Sequence, residues 1–401
     1  MGHAKIEADP VEVAAKLIRR PCLSGAEGEM ADAVEEFLND LGYREVFRDR
    51  LGNLVGIIGP NAGESVRVLF DGHMDVVPPA GEWSVNPFDG IVRDGRLFGR
   101  GATDMKGGLA AALCGVVAAA NDLSHPVAVS ATVLEETIEG VALGEVLDRL
   151  HPDAVVICEP SGMQVKVGQR GRAEVLLTAH GVPAHAASPE RGRNPITLMA
   201  QALSRIELME LPIDQTLGPA IIVATDVVSD PYPSISLIPS SVTVRFDRRT
   251  LLDEDAQGVL AELLAVVDGL DGRGFSAAIT ADEVETYTGE RLQVERYLPA
   301  WVLPIDHPLA LAMTSAVAAA GTPVELGVWG FCTNGSESAG VRGIPTIGFG
   351  PGSPEEAHII DESISVEEVR TAAEVYRRLA IAYAGEAADD DERHDAGHRG
   401  G

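Results

Sequence analysis

Residues 126–160 read PVAVSATVLEETIEGVALGEVLDRLHPDAVVICEP, with two apolar stretches around one stretch that has helical spacing. The apolar stretches, at 126–136 and 153–160, are rich in Val and Ile and are typical of buried strands. The stretch at 140–150 repeats apolar residues every three or four positions, which predicts a helix. A strand, a helix and a second strand in this order predict the repeating unit of an α/β fold.

The same alternation continues on both sides of this unit. Gly42 is expected to end a helix because glycine readily adopts a left-handed conformation, and Ser365 with Glu368 forms a capping box that predicts the start of the last helix. We therefore predict a mostly parallel sheet with helices on both faces. The elements are helices at 27–41, 106–120, after Asp306 and from Ser365, and strands at 51–58, 65–71, 323–328 and 344–348.

Between these blocks the order of elements changes to βαββαβ, which is typical of a ferredoxin-like unit. We therefore expect a first domain at 1–167 and 287–385, interrupted by an inserted domain at 168–286. The inserted elements are strands at 172–179, 219–228, 235–248 and 274–280 and helices at 195–209 and 253–268.

Composition limits the classes of function. The chain has 401 residues and a formal net charge of −30, which argues against nucleic acid or an anionic membrane as a partner, because phosphate binding needs a basic surface. No run of 18 apolar residues occurs, and the start MGHAKIEADP lacks the apolar centre of a signal peptide, so we expect a cytoplasmic protein. The end at 386–401 is expected to be a disordered acidic tail in which His394 and His398 are solvated.

The four cysteines follow neither a metal-binding nor a disulfide spacing. Without a CxxC pair they are typical of buried thiols in a reducing compartment, so a metal site would use nitrogen and oxygen ligands. A nucleophilic role for Cys332 has no nearby histidine to support it. The cysteines are Cys22, Cys114, Cys158 and Cys332.

Acidic residues and histidines follow the predicted strands at the points where these strands end. Ligands in α/β proteins gather at the carboxyl ends of parallel strands, so we expect these side chains to converge. Individually, each also has an ordinary interpretation, as a surface histidine or as a solvated strand end. They are His73 and Asp75 in VRVLFDGHMDVVP (66–78), Glu135 and Glu136 after VAVSATVL, and Glu159 after VVIC.

Two further segments complete a candidate ligand set. Asp104 lies among glycines in FGRGATDMKGGLAA (98–111), where it is either a metal ligand or the N-cap of the next helix. His358 lies in a loop rich in Gly and Pro. Two histidines and three carboxylates without a thiolate suit Zn²⁺, with Mn²⁺ or Co²⁺ as alternatives, and one carboxylate must bridge if two ions bind.

The neighbours of these ligands have predicted roles as well. Glu135 and Glu136 are expected to point to opposite sides of a strand, so that one binds a metal while the other acts on its water as a general base. Asp75 is the expected acceptor for the second ring nitrogen of His73.

Taken together, the motifs resemble the zinc amidohydrolase and exopeptidase family of acetylornithine deacetylase, succinyl-diaminopimelate desuccinylase, carboxypeptidase G and aminoacylase. The similarity runs from about residue 10 to 384. It is carried by DGHMDVVP (71–78), GRGATDMKGG (99–108), EE (135–136), CEP (158–160) and AHIIDE (357–362).

This resemblance implies an assignment of roles at two Zn²⁺ ions per subunit. Asp104 would bridge the ions, and Glu135 would be the general base. His73 and Glu159 would hold one ion, and Glu136 and His358 the other.

The resemblance also implies that the inserted domain is a lid and dimerisation domain. In GQRGRAEVLLTAHGVPAHAASPERGRNPI (168–196), His185 matches a histidine that reaches the active site of the partner subunit, so a homodimer is implied. There it would stabilise a tetrahedral oxyanion. Within this chain alone, a loop histidine between alanines is more often incidental. Ser236, in SLIP, stands where many relatives have Asn.

Two residues are candidates for substrate binding. Arg249 in FDRRT is suited to a substrate carboxylate, although an ion pair with Asp247 is an equal alternative. CTNGSES (332–338) replaces the Gly-Gly-Thr-Asp run of several deacylases and makes Asn334 the second candidate. With TYTGE (286–290), these segments are more similar to a subgroup described as selenium-metabolism hydrolases.

The sequence thus predicts a metal-dependent hydrolase that cleaves the amide bond of a small N-acyl amino acid or a related compound. The alternatives are a dipeptidase or carboxypeptidase, and an aminohydrolase that acts on an unusual amide. An inactive binding protein on the same fold would need a lost ligand or base, and none is missing.

Overall fold

The computed structural model describes residues 8–60, 65–270 and 274–385. The predicted tail at 386–401, with His394 and His398, lies outside the described residues.

The protein is an α/β structure built around a sheet that has nine strands within the described residues. The four central strands are parallel, whereas most strands on either side of them are antiparallel, so the predicted parallel sheet is the centre of a mixed one. Every residue of the central strands is buried, so both faces of the centre are covered. In sheet order, the strands are Glu45–Arg48, Leu54–Ile58, Val127–Thr132, Val68–His73, Val155–Ile157, Thr346–Gly348, Val165–Gln169 and Trp301–Val302, and Leu326–Trp329 also pairs with Val165–Gln169.

The helices begin and end at residues that the sequence signals. Gly42 ends a helix with φ at 86°, and the Ser365 hydroxyl accepts a hydrogen bond from the Glu368 amide at 3.3 Å. Asn194 and Asp255 cap their helices in the same way. The α-helices of the described residues are Pro10–Ile18, Gly28–Leu41, Gly107–Ala119, Glu135–Ile138, Val141–Leu150, Pro195–Ile206, Ala256–Val267, Pro308–Ala319 and Val366–Ala384.

One buried segment is long and apolar enough to cross a membrane. Ala102–Asp122 has the length and the apolar composition of a membrane-spanning helix, but 83% of its most apolar stretch is buried inside the fold. Its helix, Gly107–Ala119, packs against Val366–Ala384 and Pro10–Ile18. The segment is therefore a core element of this fold.

A second sheet has the predicted βαββαβ order and its own apolar core. Buried residues alternate along Gly171–His180, so one face of this sheet packs on two helices while the other is more open. The predicted strand at 235–248 is divided in two: Leu237–Ile238 pairs with Ala184–His185, and Ser241–Thr250 joins the second sheet. In sheet order, the strands are Ile221–Asp230, Ser241–Thr250, Gly171–His180 and Phe275–Ile279, with Tyr297–Leu298 also pairing with Gly171–His180.

The chain enters and leaves this second sheet at one place. It enters between Gln169, which pairs with Trp301, and Arg172, which pairs with Leu298 on the returning chain. Gly171 is needed there because a Cβ atom would lie 2.2 Å from Thr250 Oγ1 and 2.4 Å from the Leu298 carbonyl oxygen. The domain boundaries at 167 and 287 stay a prediction.

Short strands complete the described structure. One hairpin, between the second sheet and the return to the large sheet, packs on the large core through Val294. The pairs and one triplet are Ala281–Glu285 with Arg291–Glu295, Ala184–His185 with Leu237–Ile238, Ile213–Asp214 with Gly218–Pro219, and Ile91–Arg93 with Arg96–Phe98 and Ser363–Ser365.

Candidate metal centre

The carboxyl ends of the central strands bring the first candidate ligands together. His73 ends its strand opposite Thr132, and Glu159 follows the neighbouring strand Val155–Ile157 by two residues. Both side chains are almost completely buried. His73 Nε2 lies 3.5 Å from Glu159 Oε1. Parallel strands thus place a histidine and a carboxylate side by side, as their positions in the sequence predict.

Asp104 lies between the two histidines of the site. Its Oδ1 is 3.0 Å from His73 Nε2, and its Oδ2 is 3.2 Å from His358 Nε2. The alternative that Asp104 caps the next helix is wrong, because Lys106 occupies the N-cap position and provides no side-chain cap. Each carboxylate oxygen of Asp104 therefore faces a different histidine.

Glu135 and Glu136 do not end a strand, which corrects the expectation that they point to opposite sides of one. The strand ends at Thr132, and Leu134, with φ at 60°, turns the chain so that both glutamates lie in the first turn of the helix Glu135–Ile138. Glu136 Oε2 is 3.0 Å from His358 Nε2, and Glu135 Oε2 is 3.8 Å from His73 Nε2. The two side chains still approach different histidines.

Asp75 supports both the histidine and the glutamates, in a way that differs from the prediction. His73 Nδ1 contacts the main-chain oxygen of Asp75 at 2.9 Å, whereas the nearest carboxylate oxygen is 3.7 Å away. The Asp75 carboxylate instead accepts hydrogen bonds from the amides of Glu135 and Glu136, at 3.1 and 3.2 Å. It also accepts one from Ser24 Oγ at 2.7 Å. Asp75 therefore fixes the first turn of the short helix.

The predicted ligands form two groups that share Asp104. Within each group, one candidate ligand atom per residue lies within 4.8 Å of the others. Nitrogen and carboxylate oxygen atoms at this spacing suit divalent cations such as Zn²⁺ or Mn²⁺. The groups are His73, Asp104 and Glu159, and Asp104, Glu136 and His358.

The electrostatics of the centre also suit a cation. Burial raises the pKa values of Glu135, Glu136 and Glu159, and repulsion from neighbouring carboxylates raises them further. Burial would raise the pKa of Asp104 too, but hydrogen bonds from His358 and His73 outweigh it and lower that pKa. The same contact with Asp104, together with one to Glu136, raises the pKa of His358 to about 10. Crowded, buried carboxylates are stabilised when a divalent cation compensates their charge.

A cleft of about 280 Å³ opens beside these residues, and a charged residue outside the ligand set, Arg249, also lines it. Asp247 holds the Arg249 guanidinium through contacts of 2.7 and 3.2 Å. The predicted ion pair therefore exists, and Arg249 also faces the cleft. Cys332 lines the cleft as well, but burial raises the pKa of its thiol to about 12, which disfavours a nucleophilic thiolate.

Asn334 and His185, the two remaining predicted site residues, do not line the cleft. Asn334 is buried, and its amide group contacts Asp71 at 2.8 Å, Thr132 at 3.0 Å and the Gly140 amide at 2.6 Å. These contacts occupy the side chain and favour a structural role over substrate binding. His185 is exposed on the inserted unit, where its Nδ1 accepts a hydrogen bond from Ala187. Its role at a partner's site stays a prediction.

Sequence reasoning missed the residues that hold Asp104 in place. Glu362 accepts hydrogen bonds from the amides of Thr103 and Asp104, at 2.9 and 3.1 Å, and forms a buried ion pair with Arg100. Arg100 lies in the motif GRGATDMKGG and Glu362 in the motif AHIIDE, and these motifs were the signal from which both residues could have been identified. Glu139, which also lines the cleft, follows the EE pair by three residues and carried no signal of its own.

Known proteins resemble this chain in sequence and in structure. Residues 69–382 match the model of peptidase family M20/M25/M40. The uncharacterized protein YgeY of Escherichia coli (strain K12) is 29% identical over 387 aligned residues, which cover 94% of this chain and 95% of that protein. A succinyl-diaminopimelate desuccinylase of Cereibacter sphaeroides (strain ATCC 17025 / ATH 2.4.3) is 29% identical over 411 aligned residues, with 94% and 99% covered.

Solved structures share the fold. The YXEP protein of Bacillus subtilis, described as a dinuclear metal binding peptidase from the M20 family, aligns with a TM-score of 0.69 at 17% identity. The alignment covers 94% of this chain and 97% of that one. The narrower resemblance to selenium-metabolism hydrolases stays a prediction.

Proposed function

Since this chain belongs to peptidase family M20/M25/M40, and is therefore a hydrolase of amide or peptide bonds, we propose that it deacylates a small N-acyl amino acid or a related amide with two divalent cations in its cleft. The family resemblance seen in the motifs is thereby confirmed. The observation that carries the proposal is the pair of ligand groups that share Asp104. The likeness to a dinuclear metal binding peptidase supports it.

The cations belong to the proposal because the donor set fits them. His73 and Glu159 would hold one, Glu136 and His358 the other, and Asp104 would contact both. When bound, such ions polarise a carbonyl group and lower the pKa of a water molecule. We propose Zn²⁺ as the native metal, with Co²⁺ or Mn²⁺ as substitutes, because nitrogen and carboxylate ligands without thiolate suit all three.

Glu135 is proposed as the general base. It lines the cleft, lies next to the ligand Glu136 in sequence, and is held at its amide by Asp75. The Glu135 carboxylate would accept the proton of the attacking water and then deliver it to the leaving amine. Its burial keeps bulk water away from this proton.

Arg249 is proposed to bind a carboxylate of the substrate. Its guanidinium lines the same cleft as Glu135 and is oriented by Asp247, so donors that Asp247 leaves free can meet a carboxylate. An N-acyl amino acid carries such a carboxylate next to the amide bond.

The partner's histidine is part of the proposal. His185 is exposed and does not line the described cleft of its own chain. We expect a homodimer in which each His185 stabilises the oxyanion in the other subunit. Sedimentation would test this, because a strict monomer with full activity removes His185 from the reaction.

A dipeptidase is the second candidate, and one observation favours it. The Glu139 carboxylate lines the cleft that also contains Arg249. A free α-ammonium group would complement this acid, whereas an N-acyl group would not. Comparing each dipeptide with its N-acetylated form separates the two activities.

Hydrolysis of a panel of N-acyl amino acids and dipeptides in the presence of Zn²⁺ tests the main proposal. Glu135→Gln is expected to lower turnover about 10²–10⁴-fold, since a positioned base contributes that much. Asp32→Asn, in an exposed ion pair with Arg48, is the matched control. Unchanged turnover in Glu135→Gln, with metal content equal to that of the native protein, would refute the base.

We propose the cytoplasm as the location. The four cysteines are free and buried, which suits a reducing compartment.

A further inference from the structure

The helix that carries Glu135 and Glu136 is too short to fix its own orientation. It spans Glu135–Ile138, and the amides of Thr137 and Ile138 donate to the Leu134 carbonyl at 3.1 and 2.8 Å. A single helical turn is marginal in isolation because nucleation is unfavourable. Contacts at its two ends must therefore set the direction of both glutamate side chains.

The first end is held by carboxylates of the large-sheet unit. Asp75 accepts hydrogen bonds from the amides of Glu135 and Glu136, and Glu27 Oε1 accepts one from the Leu134 amide at 3.1 Å. Asp75 and Glu27 are fully buried. These three amides are the unpaired donors expected at the start of a helix.

The second end is held by two arginines that sit at the entry to and exit from the inserted unit. Arg296 Nη1 donates to the Thr137 carbonyl, and Arg172 Nη1 lies 3.4 Å from Glu139 Oε1. Arg172 pairs with Leu298 in the small sheet, and Arg296 precedes that strand by one residue. Both arginine side chains are largely buried.

Neither arginine is free to follow the helix, because acids of the inserted segment hold it. Arg296 Nε lies 2.6 Å from Asp282 of the hairpin, and the main-chain oxygen of Arg296 accepts a hydrogen bond from the Glu174 amide of the second sheet at 2.9 Å. Arg172 lies 3.0 Å from both Glu174 and Asp247. A shift of the second sheet relative to the large sheet would therefore displace the carboxyl end of the helix Glu135–Ile138.

We propose that Arg296 and Arg172 are positioning residues that couple the orientation of the inserted unit to Glu135 and Glu136. The part that concerns Glu135 rests on the proposed function, whereas the part that concerns Glu136 rests on the ligand geometry alone. The coupling is selective. Glu136 lies on this helix, whereas His73 ends one strand of the large sheet and Glu159 follows another. Among the described residues, neither arginine forms a hydrogen bond or ion pair with these two strands.

Metal binding without substrate tests the selective part. Metal-free protein is titrated with Zn²⁺ by calorimetry, for the native chain, Arg296→Ala, Arg296→Lys and Arg172→Ala. Removal of such a supporting contact typically costs 10–100-fold in metal affinity or activity. We expect Arg296→Ala to weaken the weaker zinc step about 10-fold or more and to leave the tighter one unchanged. Arg296→Lys should restore part of the loss, because a lysine still offers a donor.

Turnover with the best substrate of the panel tests the part that involves Glu135. We expect kcat of Arg296→Ala and Arg172→Ala to fall about 10-fold or more, since the base is displaced. KM should change little for Arg296→Ala, because Thr137 and Asp282 do not line the cleft. Arg172→Ala should also change KM, because Arg172 contacts Glu139, which lines the cleft, and Asp247, which holds Arg249. If the native protein hydrolyses nothing in the panel, the proposed function fails, but the zinc titration still decides the coupling.

Two matched controls separate coupling from a general loss of ion pairs. Arg291→Ala removes an exposed arginine of the hairpin formed by Ala281–Glu285 and Arg291–Glu295, whose ion pairs within the described structure are with Glu283 and Glu285. Arg245→Ala removes a partner of Glu174 that makes no described ion pair with the helix. Both control variants should match the native protein in zinc binding and in kcat. The proposal is overturned if Arg296→Ala and Arg172→Ala match these controls in zinc binding and kcat, or if both zinc steps weaken equally. If one variant does not fold, the other and Arg296→Lys decide.

Discussion

The two halves of the candidate metal centre share Asp104 but are built differently. The sheet-borne half, His73 with Glu159, extends from two neighbouring parallel strands, and its side chains are 1% and 5% exposed. The loop-borne half, Glu136 with His358, joins a four-residue helix to a loop, and the His358 side chain is 49% exposed with φ at 61°. A buried half and a half with a largely exposed histidine thus meet at one carboxylate, which predicts that they respond differently to perturbation.

Asp104→Ala should have the largest effect because it removes a ligand from both halves. Turnover is expected to fall roughly 10³-fold or more, since polarisation by a cation is worth several kcal/mol. Metal analysis and hydrolysis of the best substrate check this. A variant that keeps its metals and its turnover would contradict the bridging role of Asp104.

His358→Ala should break the loop-borne half alone. We expect turnover to fall about 10²-fold or more, with the metal of the sheet-borne half retained. Metal analysis after dialysis against dilute Zn²⁺ distinguishes the halves. Loss of both metals would mean that the halves are not independent.

Asp75→Asn should weaken the loop-borne half more than the sheet-borne half, with a smaller effect than His358→Ala. The carboxylate supports the amides of Glu135 and Glu136, whereas His73 contacts the main-chain oxygen of Asp75, which the substitution keeps. We expect a loss of about 10–100-fold in kcat and in zinc affinity of the loop-borne half. Equal weakening of both zinc steps would show that the side chain of Asp75 also orients His73.

Gradual removal of metal from the native protein should reveal the smallest difference, which is one of metal affinity between the two halves. When free Zn²⁺ is lowered with a chelator, the exposed loop-borne half should release its ion first, at a free concentration about tenfold or more above that needed by the other half. Simultaneous release of both ions would remove the distinction between the halves.

The sheet-borne half was predictable from sequence, and the loop-borne half less so. Apolar strands that end in His73 and Glu159 predict their own convergence, because parallel strands align their carboxyl ends. Glu136 required a turn at Leu134, a non-glycine residue with positive φ that no local pattern signals. For Asp104, the local sequence allows a helix cap as an equal alternative to a metal ligand, because an acid before an apolar helix is typical of a cap.

In the fold too, some features were predictable from the sequence and others were not. Gly42 and Ser365 marked helix ends correctly, because capping is a local property of one or two residues. The division of the predicted strand at 235–248, in which Leu237–Ile238 pairs with Ala184–His185, and the buried pair of Arg100 with Glu362 depend on residues far apart in sequence. Such long-range contacts are decided by tertiary packing, which one sequence does not display.

The adjacent entry and exit of the inserted unit give the protein a modular design. Because Gln169 pairs with Trp301 in the large sheet and Arg172 pairs with Leu298 in the second sheet, the two ends of the insertion lie side by side where one sheet gives way to the other. A different domain could replace the inserted unit at this junction without changing the order or the pairing of the strands in the large sheet. To keep the glutamate helix anchored, the replacement would have to bring its own pair of cationic side chains.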